Sequence, residues 1–321
     1  MGDQSKIPGI FFLALAAVVV SPFIGYSSSE ASLFTSLAEG ISLEDFFERR
    51  LPRTAIIFFS GAALGLAGLS FQFVFRESFI GPSTAGALGV GSFAIKLASI
   101  LSVYSVARYL GATLAVGLAA FLLYFLSSRI SRPRVLLSGY ALLFVFTALS
   151  MLLDLNQGIG LSSSLASVLG DAKEVELMPL TVLVLVVVIS ISLFSLFLDE
   201  LDLIILGEDL AASRGVEVES FRVRALLVGI VLAGVAVSSI GPVALIGVVA
   251  GCLVKKLFNN SFREMLPAAF FIGGTLLLVC DCLSRAVLER FDLPLGAVTV
   301  LLLSPAFIWL LQKERRAILP W

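Results

Sequence analysis

Histidine is missing from all 321 residues of this chain. That absence removes Ser-His-Asp hydrolysis, HExxH zinc sites and histidine proton relays together. Cysteine is scarce. Cys252, Cys280 and Cys282 all fall in apolar runs, and an odd count there argues for small core residues over a disulfide framework. There is no Gly-Lys pair, so no P-loop can be built and the chain cannot hold ATP that way. Gly89 and Gly91 miss the GxGxxG spacing, so no dinucleotide site is indicated. A net charge of −1 suggests no nucleic-acid partner. No long polar stretch exists to form a soluble catalytic domain.

What the chain does have is hydrocarbon: 59% of its residues are hydrophobic and its mean hydropathy is +1.05. Apolar runs of roughly 17–25 residues recur, the length needed to cross the bilayer interior. Barrel strands would alternate apolar and polar, whereas these runs are apolar on every side. Lipid cannot satisfy backbone N–H and C=O groups, so each run is expected to be a helix. The expected spans are Ile7–Tyr26, Ala55–Phe75, Thr84–Leu101, Val106–Leu126, Val135–Leu155, Leu177–Leu198, Ala225–Ile240, Val243–Phe258, Met265–Val287 and Leu295–Leu311. The fold class read from this is an all-α polytopic membrane protein, one transmembrane domain over residues 1–321 with about ten helices. The first run is long for a signal-peptide core and only Lys6 precedes it, so a retained span is expected.

An even number of spans puts both termini on one side. With the N-terminus inside, inner segments carry fourteen Lys and Arg and outer segments seven, as the positive-inside rule asks. The outer exceptions cluster: Arg49, Arg50 and Arg53 precede the second span, and Arg285 and Arg290 end the ninth. This suggests a docking surface for an acidic partner. Local pairing with Glu44, Asp45, Glu48, Glu289 and Asp292 is the alternative, and both stay open.

Two connections look structured. Leu161–Gly170 reads as a short helix lying on the outer membrane surface. In the longest inner connection, Asp199–Arg224, Glu208 and Asp209 follow Gly207, and Arg214 precedes Gly215. Acid early, base late and glycine at the end describe a short helix with its dipole complemented. Leu206 and Leu210 share one face, and Val216–Arg224 reads as a second short helix. Such an inner helix–turn–helix suits contact with a cytoplasmic motor; a plain loop is the alternative. Gly61 with Gly65, and Gly247 with Gly251, mark close helix crossings within one subunit. Ionisable residues inside spans are few; Asp281 lies in the ninth and Lys96 in the third. Asp281 suits ion coupling or a structural hydrogen bond, and Lys96 is expected to snorkel outward.

Further motifs carry a resemblance. Arg50-Leu51-Pro52-Arg53 is followed by Ser60-Gly61-Ala62-Ala63-Leu64-Gly65-Leu66-Ala67-Gly68. In order come Ser78-Phe79-Ile80-Gly81-Pro82-Ser83-Thr84-Ala85-Gly86, Leu137-Ser138-Gly139-Tyr140-Ala141-Leu142 and Leu206-Gly207-Glu208-Asp209-Leu210-Ala211 with Ser213-Arg214-Gly215-Val216. Gly241-Pro242-Val243-Ala244-Leu245-Ile246-Gly247, Asp281-Cys282-Leu283-Ser284-Arg285 and Leu293-Pro294-Leu295-Gly296 complete the series. Over roughly residues 45–316 this resembles the FecCD family, the membrane permeases of ABC importers for iron-siderophore chelates, haem and vitamin B12.

The resemblance implies a type II importer permease in the bacterial cytoplasmic (inner) membrane. It is a transporter subunit, not an enzyme, with no chemistry of its own and no bound cofactor or metal. Implied partners are a second permease subunit, in a homo- or heterodimer, two cytoplasmic ABC ATPase subunits that use the ATP, and an extracytoplasmic substrate-binding protein. The binding protein would dock on Arg50, Arg53 and Arg285. The coupling helices, about residues 200–224 with Gly207, Glu208, Asp209, Arg214 and Gly215, would meet the ATPase. Gln72, Ser83, Thr84 and Ser138 are candidates to line the path. The implied cargo is an iron-siderophore-type chelate; a vitamin B12 or haem permease is the alternative within the family, and an ion-coupled secondary transporter the alternative outside it. One departure stands out: Gly251 and Cys252 occupy the place where the family commonly has Pro-His.

Overall fold

Each of the ten apolar runs contains a helix. The structure, a computed structural model, describes residues 6–23, 47, 50–100, 105–127, 132–160, 163–164, 169–170, 177–258, 261–287 and 294–314. In chain order the helices are α1 (Lys6–Val20), α2 (Leu51–Phe75), α3 (Ala87–Ile100), α4 (Ser105–Ser127), α5 (Arg132–Asn156) and α6 (Leu177–Ser195). There follow α7 (Leu198–Leu206), α8 (Glu208–Ser213), α9 (Val218–Ile240), α10 (Ile246–Leu257), α11 (Phe262–Val287) and α12 (Leu295–Glu314). A 3-10 turn, Ser21–Phe23, follows α1. Among the described residues there is no strand. By length and apolarity, five stretches are sufficient to cross a membrane: Leu51–Phe75, Leu137–Asn156, Val218–Ile240, Phe262–Arg285 and Leu295–Gln312. Among the described residues the count is five, or six if the bent pair of α6 and α7 is taken as one span. Shorter apolar stretches are Pro8–Val20, Ala87–Ile100 and, within α4, Gly111–Phe121.

α2 is the centre. It is apolar on all sides and buried along nearly its whole length, as expected of a helix enclosed by others. Its glycines are the reason neighbours come so near. A Cβ on Gly61 would lie 2.5 Å from the Gly273 carbonyl oxygen, and one on Gly65 2.5 Å from that of Ala269, both on α11. Gly68 meets Gly247 of α10 backbone to backbone. The two GxxxG pairs therefore do mark crossings within the subunit. α5 and α12 lie at the periphery and leave Phe144, Leu152, Leu301 and Trp309 exposed. Such an apolar exterior suits lipid or a partner subunit.

Two expected boundaries move. The sixth run does not continue straight to Leu198, because α6 turns into α7 through 63°. Val216–Arg224 is not a separate short helix: from Val218 it is the first two turns of α9, with no break before Ala225. Most of the expected surface helix Leu161–Gly170 lies outside the described residues. Ser164, which is described, donates from Oγ to Asp154 Oδ2 at 2.7 Å.

Candidate functional site

Three arginines gather at one end of the bundle, two on the turn Ser21–Phe23 and two on Asp281, Arg285 serving both. Arg50 stands at the N-cap of α2, with Pro52 in the first turn where its missing N–H costs nothing. Arg50 Nη1 donates to the Pro22 carbonyl at 3.1 Å. Arg285, near the end of α11, donates from Nη2 to Ser21 Oγ at 2.9 Å and to the Ser21 carbonyl at 3.3 Å. Arg53, one turn into α2, reaches across to Asp281 Oδ1 at 3.0 Å, and Arg285 takes Asp281 Oδ2 at 2.7 Å. The second pair has the i,i+4 spacing that stacks side chains on one helix face.

One buried carboxylate thus holds two guanidiniums. Asp281 is 1% exposed, Arg285 11% and Arg53 28%. The proposed alternatives for these arginines were an acidic partner or nearby loop acids. The structure adds a third partner, the aspartate inside the span. Glu44, Asp45, Glu48, Glu289 and Asp292 lie outside the described residues. For Asp281 the structural reading fits. The two-to-one stoichiometry leaves the cluster positive, and Arg53 presents more surface than Arg285 does.

The opposite end carries the hairpin of α7 and α8. Gly207 joins them with φ +153°, and Gly215 closes α8 with φ +81°. Asp209, Arg214 and Gly215 are exposed, as are Leu206 and Leu210, which lie not on one helix as expected but at the end of α7 and on α8, parted by Gly207. Glu208 is turned inward instead. It pairs with Arg76, which ends α2 in the left-handed region at φ 53°, and with Arg222 on α9. Asp209 and Arg214 so stand free to meet another surface, while Glu208 anchors the helix start.

Three of the four residues expected along a path are buried inside the protomer. Gln72 is fully enclosed between α2 and α10, and Ser83 and Thr84 are packed in the loop before α3. Thr84 Oγ1 accepts the Gly81 N–H at 2.8 Å and so caps that turn. Ser138 keeps partial exposure. Its neighbour Gly139 packs against the Thr84 carbonyl, which brings two of the sequence motifs together.

Burial of Gln72 also explains Gly251. A Cβ there would lie 2.6 Å from Cδ, Nε2 and Oε1 of the Gln72 carboxamide, which instead donates to the Val248 carbonyl at 3.1 Å. The adjoining Cys252 thiol donates to the Ser78 carbonyl at 3.0 Å. Gly251→Ala is expected to cost about 1–3 kcal/mol by overpacking. Gln72→Ala in the same chain is expected to return part of it, read as recovery of the thermal melt in detergent.

Lys96 does not snorkel. Its Nζ lies 2.5 Å from Asp154 Oδ2, with the side chains 14% and 7% exposed. This pair ties α3 to α5, and the sequence hid it because the two residues lie 58 positions apart. Lys96→Met strands a buried carboxylate and is expected to cost about 3–5 kcal/mol. The double variant with Asp154→Leu is expected to melt close to the parent.

Known proteins match this arrangement. The FecCD transport family matches residues 10–313. The Fe(3+) dicitrate transport system permease protein FecD of Escherichia coli is 28% identical over 273 residues, covering 84% of this chain and 85% of its own. The vitamin B12 import system permease protein BtuC of Vibrio vulnificus is 30% identical over 322 residues, covering 95% of this chain and 90% of its own. Among solved structures, an inward-facing conformation of a transporter assigned to the metal-chelate ABC type aligns with TM-score 0.78. It covers 97% of this chain and 99% of its own, and at 23% identity it bears on the fold. With the family match running from the first helix to the last, the chain belongs to the FecCD transport family.

Proposed function

We propose that this chain is the membrane-spanning permease subunit of an ATP-driven importer, carrying an iron-siderophore-type chelate. The observation that carries the reading is the family match over residues 10–313, supported by relatives named as permease proteins of import and transport systems. The ten helices that fall on the apolar runs serve as ten spans of a bacterial inner-membrane protein with both termini cytoplasmic. The arginine end is then the outer face, and Arg50, Arg53 and Arg285 receive acidic residues of an extracytoplasmic substrate-binding protein. The hairpin end is the inner face, where Asp209, Arg214, Leu206 and Leu210 meet the ATPase.

The chain itself binds no cofactor; two separate ATPase subunits hydrolyse the ATP. A second permease subunit completes the path, for which Gln72, Ser83, Thr84 and Ser138 are the candidates, Ser138 alone of them partly exposed in this protomer. The ATPase binds the outward-open and inward-open states differently, and that difference drives the cycle. For cargo, several relatives are named for ferric chelates, Fe(3+) dicitrate and ferric enterobactin among them. Vitamin B12 is the second reading, favoured by the relative at 30% identity.

The test is a mild-detergent pull-down of the tagged chain from its native membrane, with co-purifying proteins identified by mass spectrometry. Reconstituted uptake of labelled ferric chelates and of cobalamin follows. An ABC ATPase in the pull-down and ATP-dependent uptake of a ferric chelate are expected. An intact chain free of ATPase, with uptake that follows an ion gradient, sinks the importer reading in favour of a stand-alone carrier.

A further inference from the structure

The start of α11 is capped by another helix. Helix starts leave backbone N–H groups without intrahelical acceptors, and a serine such as Ser261 ordinarily serves them itself. Here the Ser261 hydroxyl is a donor, to Asp202 Oδ1 at 3.2 Å or Oδ2 at 3.1 Å. Asp202 Oδ1 also accepts the N–H of Phe262 and, at 3.4 Å, that of Arg263. Asp202 lies on α7, about sixty residues earlier in the chain. The α7–α8 hairpin is thereby fastened to α11, and through Glu208 and Arg76 it is fastened to α2 as well.

The covalent connections of the hairpin lead to other helices. On one side α6 meets α7 at the 63° bend; on the other Gly215 breaks the chain before α9. Polar fastenings lead to α2 and α11, with Glu208 adding Arg222 on α9, and α2 and α11 are locked together at Gly61, Gly65 and Gly273. The far ends of the same two helices carry Arg53, Asp281 and Arg285. Packed helices of this kind shift as units and do not deform continuously.

We propose that Asp202 and Glu208 are positioning residues that join the hairpin to the α2–α11 pair, so that occupation of the arginine cluster by a binding protein reaches the ATPase as a displacement of that joined unit. The inference rests on the importer reading above. Asp202 faces α11 and not the exposed side of the hairpin, so its role is to hold the coupling surface and not to form it.

The experiment uses the complete transporter in nanodiscs, with its ATPase and binding protein. Hydrolysis is measured with and without binding protein, and docking affinity is measured separately. Three variants are compared: Asp202→Ala; Asp202→Asn, which keeps an acceptor; and Asp202→Ala with Ser261→Asp, which returns a cap to α11 without restoring the link to α7. Asp202→Ala is expected to dock the binding protein at parental affinity while stimulation of hydrolysis falls about fivefold or more. Asp202→Asn is expected to retain most of the stimulation. The capped double variant is expected to regain the thermal melt and not the stimulation. If the double variant regains full stimulation, Asp202 acts merely as a cap and the inference is overturned. Parental stimulation in Asp202→Ala overturns it too. A parental complex that hydrolyses no ATP at all defeats the importer reading and this inference with it.

Discussion

Asp281→Ala is expected to loosen the arginine end more than any other single substitution there. The carboxylate is 1% exposed and is shared by Arg53 and Arg285. Its removal leaves two guanidiniums facing each other, one of them, Arg285, nearly buried. Breaking a buried ion pair from one side typically costs about 3–5 kcal/mol, because the stranded charge keeps its desolvation penalty. Arg53, at 28% exposed, recovers part of its hydration, which moves the expected cost toward the low end of that range. Asp281→Asn keeps an oxygen acceptor and is expected to fall between parent and alanine. The check is the thermal melt in detergent.

Arg50→Glu provides the contrast. Arg50 holds the Pro22 carbonyl at the surface of the same cluster. Reversing it is expected to weaken docking of an acidic binding protein, chiefly through association rate, with little change in the melt. The loss is expected to be largest at low salt, where surface charges are least screened. Arg53→Glu is a poorer probe, because it places a second carboxylate beside Asp281. Equal melts for Asp281→Ala and the parent would show that the cluster is a surface feature without structural weight.

The helices were legible because lipid imposes one rule on every backbone group, and the apolar runs report it directly. The glycine crossings were legible too, since close approach of two helix backbones requires small residues at four-residue spacing. Ion-pair partners were not. Arg53 and Asp281 are 228 residues apart, and Lys96 and Asp154 are 58 apart. Nothing in local spacing links them until the helices are assembled. The hairpin shows both sides of this. Its acid-first, glycine-last pattern fixed α8 correctly, yet Glu208 serves Arg76 and Arg222 as well as the helix dipole. The burial of Gln72, Ser83 and Thr84 was hidden for a related reason. A polar side chain in an apolar run suggests a wet surface, but here Gln72 Nε2 donates to the Val248 carbonyl and Thr84 serves the turn at Gly81, both inside the protomer.

Gly215→Pro is expected to uncouple hydrolysis from transport. Gly215 has φ +81° and donates its N–H to the Ala212 carbonyl at 3.0 Å; the next N–H, of Val216, reaches Ala211 at 3.0 Å. Together these bonds close the last turn of α8. Proline fixes φ near about −65° and has no N–H, so it can neither enter this conformation nor make the first bond, at a cost of roughly 3 kcal/mol or more. Nothing around Gly215 would block an added Cβ, so the obstacle is the backbone alone. Gly215→Ala therefore tests that point: it keeps the N–H and incurs only the left-handed penalty of about 1–2 kcal/mol. The hairpin is small and fastened elsewhere by Asp202 and Glu208, so the bundle is expected to survive the proline while the exposed face of α8 is misplaced. In proteoliposomes, substrate moved per ATP hydrolysed is expected to fall about tenfold or more for Gly215→Pro and only modestly for Gly215→Ala. Arg214→Glu, which reverses the charge at the C-terminal end of α8, is expected to fall between them. Normal stoichiometry in both the proline and the charge-reversal variants would remove α8 from the coupling path and leave α7, with its fastening to α11, as the element that the ATPase moves.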